Sequence, residues 1–340
     1  MSGVLDVIGG TPLVPLEKLF REFGFRVFAK LEGLNPGGSI KDRPAVSILN
    51  AALRSGVLSP GAVVVESSSG NMGIGLAQAC RYHDLRFICV VDSKTQPQNI
   101  RVLEAYGAEV DYVDQPDPIS GEFLQARLAR VRELLSEHPN SFWPNQYANE
   151  NNPLAHFSST MPEIVEQLDG PLDYLFLATS TCGTMAGCAD FVERHGLPTK
   201  IYAVDALGSQ IFASEPAERY IPGLGAGLRP PLCNPSQVVA CVHVSNMDCV
   251  VGCRRLVAEE AILAGGSSGG LITAVLRLAP QIPDGANCVV ILPDRGERYL
   301  DTIYNDEWMR EKCGEPVPES DGLGASVPLP APTVTLDTSS

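Results

Sequence analysis

No apolar run in this chain approaches the roughly 20 residues that a membrane-spanning helix needs, so none is expected. Long basic runs are missing too. Lysine and arginine number 25 against 40 acidic residues, a net charge of −15, and nothing resembles a nucleic-acid footprint. An anionic substrate must therefore be held by local donors against the overall field. Among ten cysteines there is no CxxC pair. Cys249 and Cys253 are four apart, but no histidine cluster joins them. Most cysteines, such as Cys89 and Cys288, lie in apolar runs, so buried reduced thiols and no metal site are expected. No strand-end loop has GxGxxG spacing and no acidic residue is placed for a ribose, which argues against a dinucleotide-binding dehydrogenase. The opening residues Met1-Ser2-Gly3-Val4 carry neither a basic region nor an apolar run, so the expectation is no secretory signal and a cytoplasmic protein.

What is present is a globular composition, 44% hydrophobic and 19% charged over 340 residues, enough for about two domains. Short apolar segments alternate with helical ones. Val27–Glu32, Ala62–Glu66, Phe87–Val91 and Glu109–Val113 read as strands in the first part. Tyr174–Ala178, Ile201–Val204, Val238–Val242 and Cys288–Leu292 do so in the second. Helices are predicted from the loop after Asn35 to about Arg54, from Met72 to about Tyr82, across Arg101–Tyr106 and over Gly121–His138. In the last, Leu124, Leu128, Val131 and Leu135 form the apolar stripe, Arg130 points away from the core, and Arg127 and Arg132 sit at the stripe's edges. Fully apolar short strands alternating with helices mean an α/β fold with two open, mostly parallel sheets wrapped by helices, and a seam near residue 150.

One stretch organises the rest: Asn35-Pro36-Gly37-Gly38-Ser39-Ile40-Lys41-Asp42-Arg43. Two glycines after a proline give a turn that can approach a ligand closely. A lysine at a helix start is unsuited to the helix dipole but suited to a site that holds anions and needs a weakly basic amine. That makes Lys41 a candidate Schiff-base lysine, against the ordinary alternative of a solvated surface lysine. Two strand-loop-helix junctions supply context: Glu66-Ser67-Ser68-Ser69-Gly70-Asn71-Met72-Gly73 and Ala178-Thr179-Ser180-Thr181-Cys182-Gly183-Thr184. Each can expose backbone N–H groups, hydroxyls and a helix N-terminus to an anion, although simple N-capping would explain either loop alone. Together with Gly37, Gly38, Lys41 and the glycine stretches at 223–227 and 264–270, they point to a phosphorylated ligand outside the carboxyl ends of the strands.

These motifs, with Ile8-Gly9-Gly10-Thr11-Pro12-Leu13, Asn145-Gln146-Tyr147 and Asn152-Pro153, resemble the β-family of pyridoxal-phosphate enzymes (fold type II), which includes cysteine synthases and cystathionine β-synthases. The resemblance spans roughly residues 5–312. It implies a smaller α/β domain over 41–151, a larger one from 1–40 and 152–312, and a homodimer. Residues 313–340, rich in Pro, Ser, Gly and Asp, are expected to be a disordered tail. The resemblance also implies roles. Lys41 matches the lysine that binds pyridoxal 5'-phosphate as a Schiff base and moves the Cα proton. Asn71 matches the residue bonded to the cofactor's ring oxygen, and Ser180, Thr181, Cys182, Gly183 and Thr184 fill the phosphate loop. Ser267 matches the residue facing the pyridine nitrogen, where serine rather than aspartate favours β-elimination over transamination. Ser67, Ser68, Ser69 and Gln146 fall at the clamp for the substrate carboxylate.

Met72 stands where cysteine synthases usually carry threonine, and Ser180 and Cys182 where they carry glycine. With 66–71, 121–127 and Pro293-Asp294-Arg295-Gly296-Glu297-Arg298-Tyr299, these departures resemble the N-(2-amino-2-carboxyethyl)-L-glutamate synthase branch, which starts 2,3-diaminopropionate synthesis for siderophores and peptide antibiotics. That implies β-replacement joining O-phospho-L-serine to L-glutamate. The rival within the family is a cysteine or cystathionine synthase using sulfide or homocysteine. A dianionic leaving group needs a further donor. Arg127 is the candidate, with Tyr147 and Ser180 beside it, and a solvated helix arginine is the alternative.

Overall fold

The computed structural model describes residues 3–59, 61–119, 121, 123–215, 217–314 and 334–335. In chain order the strands are β1 (Leu13–Pro15), β2 (Arg26–Leu31), β3 (Val63–Ser67), β4 (Arg86–Asp92), β5 (Glu109–Val113), β6 (Ser141–Phe142), β7 (Tyr174–Ala178), β8 (Lys200–Ala206), β9 (Ala240–Val244), β10 (Asn287–Leu292) and β11 (Val334–Thr335). The helices are α1 (Asp42–Arg54), α2 (Asn71–Tyr82), α3 (Pro97–Ala105), α4 (Phe123–Glu137), α5 (Asn151–Ala155), α6 (Met161–Gln167), α7 (Gly183–Arg194), α8 (Asn246–Glu260), α9 (Gly266–Leu278) and α10 (Asp306–Cys313).

Two sheets result, as the alternation requires. One has seven strands in the order β1-β2-β10-β7-β8-β9-β11, and the other four in the order β5-β4-β3-β6. Parallel pairing dominates; only the edge strands β1 and β11 run antiparallel to their neighbours. Strands β3, β9 and β10 are buried along their whole length, which is why they read as continuous apolar runs. Strand β2 pairs with β10, from Arg26 beside Asn287 to Leu31 beside Leu292. The large sheet therefore joins segments from near both ends of the chain, and the lysine loop follows β2, next to the edge strand β1.

The element readings hold with small shifts. Strand β9 starts at Ala240 rather than Val238. In α4 the fully buried positions are Val131 and Leu134, with Leu124, Leu128 and Leu135 half-buried. The stripe lies one position away from Leu135 because α4 packs against β3, β4 and β5 together. Two-residue strands β6 and β11 were not legible, being too short for any periodicity. The expected disordered tail lies mostly outside the described residues; within 313–340, Cys313 closes α10 and Val334–Thr335 pair with Cys241 and Val242. Ten thiols are free, eight of them buried, as expected of structural cysteines. No described helix is long and apolar enough to cross a membrane.

Candidate active site

The lysine loop is held from three sides. Gly38 takes a left-handed backbone (φ 85°), Ile40 N–H donates to Pro293 O at 2.8 Å, and Gly37 N–H donates to Asp42 Oδ2 at 2.5 Å. Lys41 then caps α1, and α2 crosses so closely that a Cβ on Gly75 would come 3.2 Å from Lys41 O. Burial pushes the Lys41 amine below its ordinary range, opposed by the Asp294 carboxyl and Cys182. An amine weakened by desolvation can accept and return a proton near neutral pH.

Under this loop lies a cluster of buried charges. Arg43 donates to Glu32 through Nε (2.7 Å) and NH2 (2.8 Å) and to Glu163 through NH1 and NH2 (both 2.7 Å). Lys30 Nζ lies 2.7 Å from Glu163 and donates to Thr11 O. Burial would raise the Glu163 carboxyl, but hydrogen bonds from Arg43 and Lys30 hold it at about 2. The cluster fixes α1, β2 and α6 relative to one another, and with them the direction of Lys41.

The loop from β7 to α7 forms a backbone cup. Cys182 adopts a left-handed conformation (φ 62°), which turns successive N–H groups toward one point ahead of the helix. Glycine is required next, since a Cβ at Gly183 would stand 2.1 Å from Asn152 Oδ1. Asn152 Nδ2 also donates to Thr181 Oγ1 at 3.3 Å. Thr184 and Thr160 hydroxyls meet the two ring nitrogens of His156 at 3.2 and 3.0 Å. Burial holds His156 well below its usual range, hence neutral. His156 opens a π-helical turn, His156–Thr160, between α5 and α6, a feature that often marks functional sites. A cavity here is lined by Lys41, Ser180, Thr181, Cys182, Thr184 and Gly223. An amine on one wall and a phosphate-sized cup on the other suit pyridoxal phosphate. Lys41, the 180–184 loop, Asn71 and Ser267 would hold it.

Facing the cup, the loop from β3 to α2 brings in Asn71. Its Nδ2 donates to Asp294 Oδ2 at 2.7 Å, and its Oδ1 accepts from Arg298 NH2 at 2.6 Å. Tyr299 OH also donates to Asp294 Oδ2. The other oxygen, Asp294 Oδ1, is buried without a hydrogen-bond partner. Burial pushes the Asp294 carboxyl up, opposed by Tyr299, Asn71, Arg298 and Lys41. Ser267 sits in the first turn of α9, buried at 4% exposure, and Gly265 is needed before it, since a Cβ there would stand 2.0 Å from Asp294 Oδ1.

Along the same rim lie the serines and the remaining candidates. Gln146 donates its backbone N–H to Glu66 (3.1 Å) and its Nε2 to Ser67 O (3.0 Å). Ser68 Oγ accepts from Gly73 N at 2.9 Å, and Ser69 O accepts from Asn99 Nδ2 at 3.0 Å. Ser67 Oγ is buried without a partner. Burial pushes Glu66 up to about 7, against N–H groups from Gln146 and Ser67 that favour its anion. Arg127 is not a solvated helix arginine. Its side chain is 11% exposed with Nε 3.3 Å from Asp92 Oδ2, while Nε and NH1 lack a hydrogen bond. Burial raises the neighbouring Tyr147 phenol, and Arg127 and Arg219 pull it back. Arg130, by contrast, is spent on Asp111, Glu133 and Glu137 at the surface.

The structure thus gathers the sequence candidates at the carboxyl ends of both sheets. Reading the sequence did not assign Glu66, Asn152, His156, Asp294, Arg298 or Tyr299 a place there. The 293–299 stretch was noticeable, but nothing in it told which groups would turn inward. Of the metal-type spacing at Cys249 and Cys253, the structure makes two buried thiols on α8; among the described residues, ligand-type atoms converge instead at Asp205, Cys241 and His243, within 4.8 Å of one another.

Comparison with known proteins agrees with this geometry. An N-(2-amino-2-carboxyethyl)-L-glutamate synthase of Ralstonia nicotianae is 45% identical over 308 residues, 91% of each chain. The structure of an O-ureido-L-serine synthase superposes with a TM-score of 0.83 at 31% identity, covering 89% of this chain and 94% of that one. An O-acetylserine-dependent cystathionine β-synthase of Helicobacter pylori gives 0.82 at 29% identity, covering 90% and 99%. The family profile described as pyridoxal-phosphate dependent enzyme matches residues 4–294, so this chain is a member of the pyridoxal-phosphate-dependent enzyme family, with that cofactor and an α/β fold of type II.

Proposed function

We propose that the enzyme catalyses β-replacement, joining O-phospho-L-serine and L-glutamate to give N-(2-amino-2-carboxyethyl)-L-glutamate and phosphate. The observation that carries this reading is the 45% identity over nine-tenths of the chain to a synthase of that name. When bound, pyridoxal phosphate withdraws electrons from the donor's Cα and so eases loss of the group on Cβ. The chain's own residues do the rest. Ser67, Ser68, Ser69 and Gln146 clamp the donor carboxylate. Lys41 Nζ takes the Cα proton and returns it after the acceptor amine has joined Cβ, a task for which its desolvated amine is suited. The departing phosphate meets Arg127, whose buried Nε and NH1 still lack hydrogen bonds, with Tyr147 and Ser180 beside it.

The test is to incubate the holoenzyme with O-phospho-L-serine and a panel of acceptors, reading products by mass spectrometry. The glutamate adduct with stoichiometric phosphate is expected. Dominant cysteine or cystathionine from sulfide or homocysteine would replace this reading by the other branch of the family.

A further inference from the structure

An acceptor with two carboxylates must be read by cations, and the cleft of this acidic chain has few to spare. Arg127 is beside Asp92. Arg298 is held by Asn71 and Gly38 O, and Arg295 by Glu297. Arg219 differs: among the described residues its guanidinium has neither an ion pair nor a hydrogen bond, and it is only partly exposed.

Its position is fixed from both sides. Asn246 Nδ2 donates to Glu218 O at 2.8 Å, and Asn246 Oδ1 accepts from Tyr220 N at 3.0 Å, so the backbone flanking Arg219 is pinned to the start of α8. Arg219 NH1 lies over Gly225, 3.3 Å from where a Cβ would stand. Gly225 has a left-handed backbone (φ 78°) and donates its N–H to Thr179 O, at the start of the phosphate loop, at 2.7 Å. Arg127 and Arg219 both act electrostatically on the Tyr147 phenol. Arg127 is the more buried of the two guanidinium groups, and Arg219 is the half-buried one, beside Gly225.

We propose that Arg219 is the specificity residue for the acceptor, binding the side-chain carboxylate of glutamate. The proposal rests on the β-replacement reading above and adds the acceptor subsite to it. The acceptor's amine must reach the donor's Cβ, with its α-carboxylate close behind. The side-chain carboxylate trails toward the entrance, where Arg219 offers a planar fork of unspent donors. Position and chemistry separate the two arginines: Arg127 serves the leaving phosphate, and Arg219 the arriving amino acid.

The experiment uses the holoenzyme and Arg219→Ala. With saturating O-phospho-L-serine, KM for glutamate should rise about tenfold to hundredfold, the range for a lost charged hydrogen bond, while kcat is nearly kept. Single-turnover phosphate release from O-phospho-L-serine without acceptor should be unchanged. Glutamine, which lacks the charge, should be used equally by both enzymes, so the native preference for glutamate disappears in the variant. Arg219→Lys should recover much of the preference, which separates charge loss from misfolding. An unchanged glutamate-to-glutamine preference in Arg219→Ala, or an equal loss in donor-only phosphate release, overturns the assignment. If the native enzyme makes no glutamate adduct, the acceptor reading itself falls, and this subsite with it.

Discussion

Two clusters of buried polar groups lie on either side of Lys41, and they differ in one respect. Below it, Lys30, Glu32, Arg43, Glu163 and Thr11 satisfy one another: both guanidinium edges of Arg43 and both carboxylates are engaged at 2.7–2.8 Å. Above it, Ser67 Oγ, Arg127 Nε and NH1, Ser268 Oγ and Asp294 Oδ1 are buried without hydrogen-bond partners. An unmade hydrogen bond in the interior is costly, so such groups stay in a fold when something else completes them. The closed cluster is therefore a fixture of the scaffold and the open one a binding surface. Similar residue types serve two ends, and only the count of satisfied atoms tells them apart.

The largest expected effect probes the group between the clusters. Lys41→Ala should lower product formation by at least about a thousandfold, within the range that general acid–base groups contribute, and a variant turning over at the native rate would remove Lys41 from the chemistry. Breaking the closed cluster should instead be felt in stability. Arg43→Ala leaves Glu32 buried without an ion-pair partner and Glu163 with Lys30 alone, and should destabilise the fold by about 3–5 kcal/mol in denaturant unfolding. A loss under about 1 kcal/mol would mean that the cluster is not the closed fixture described above.

The open cluster should answer in selectivity. Arg127→Ala is expected to weaken O-phosphoserine use about tenfold or more beyond any loss with O-acetylserine, because only the phosphate draws on a charged donor pair. Equal losses with the two donors would return Arg127 to a structural role beside Asp92. The smallest effect concerns pH. Glu66 titrates near 7 in the fold against 4.5 unfolded, so its protonated form is favoured by folding. Its contribution is fully present below about 4.5 and is lost as pH rises through about 7. Glu66→Gln should therefore gain stability relative to the native enzyme across that window. Parallel pH profiles for the two proteins would show that the carboxyl is not desolvated as described.

Much of this was legible in the residues. Apolar strands such as Val63–Ser67 and Cys288–Leu292 announce burial on both faces, and Gly37-Gly38 announces a tight turn, while Lys41 stands out from a surface lysine only together with the loops at 67–71 and 179–184, Ser267 and the glycine stretches. The loops at 67–71 and 179–184 could be placed at strand ends by alternation alone. What stayed hidden depends on long-range approach. Asp294 and Arg298 reach Asn71 across more than 220 positions of chain. The π-turn that carries His156 under Thr184 leaves no mark in composition. Arg127 and Arg130 sit three apart on one helix, and the apolar stripe separates them, Arg130 away from the core and Arg127 at the edge; that Arg127 is buried beside Asp92 shows only once the partners of α4 are known.

The pairing of β2 with β10 also orders events in time. Arg26 and Asn287 are bonded across 261 positions, so the lysine loop cannot acquire its wall at Pro293 and Asp294 until nearly the whole chain has been synthesised. The four-stranded sheet needs nothing beyond Phe142 and can pair its strands long before that. A chain ending before Asn287 should thus take up no cofactor, seen as an absent Schiff-base absorption band, however well its earlier strands have paired. Emergence of the last parallel strand is what makes the polypeptide competent to load.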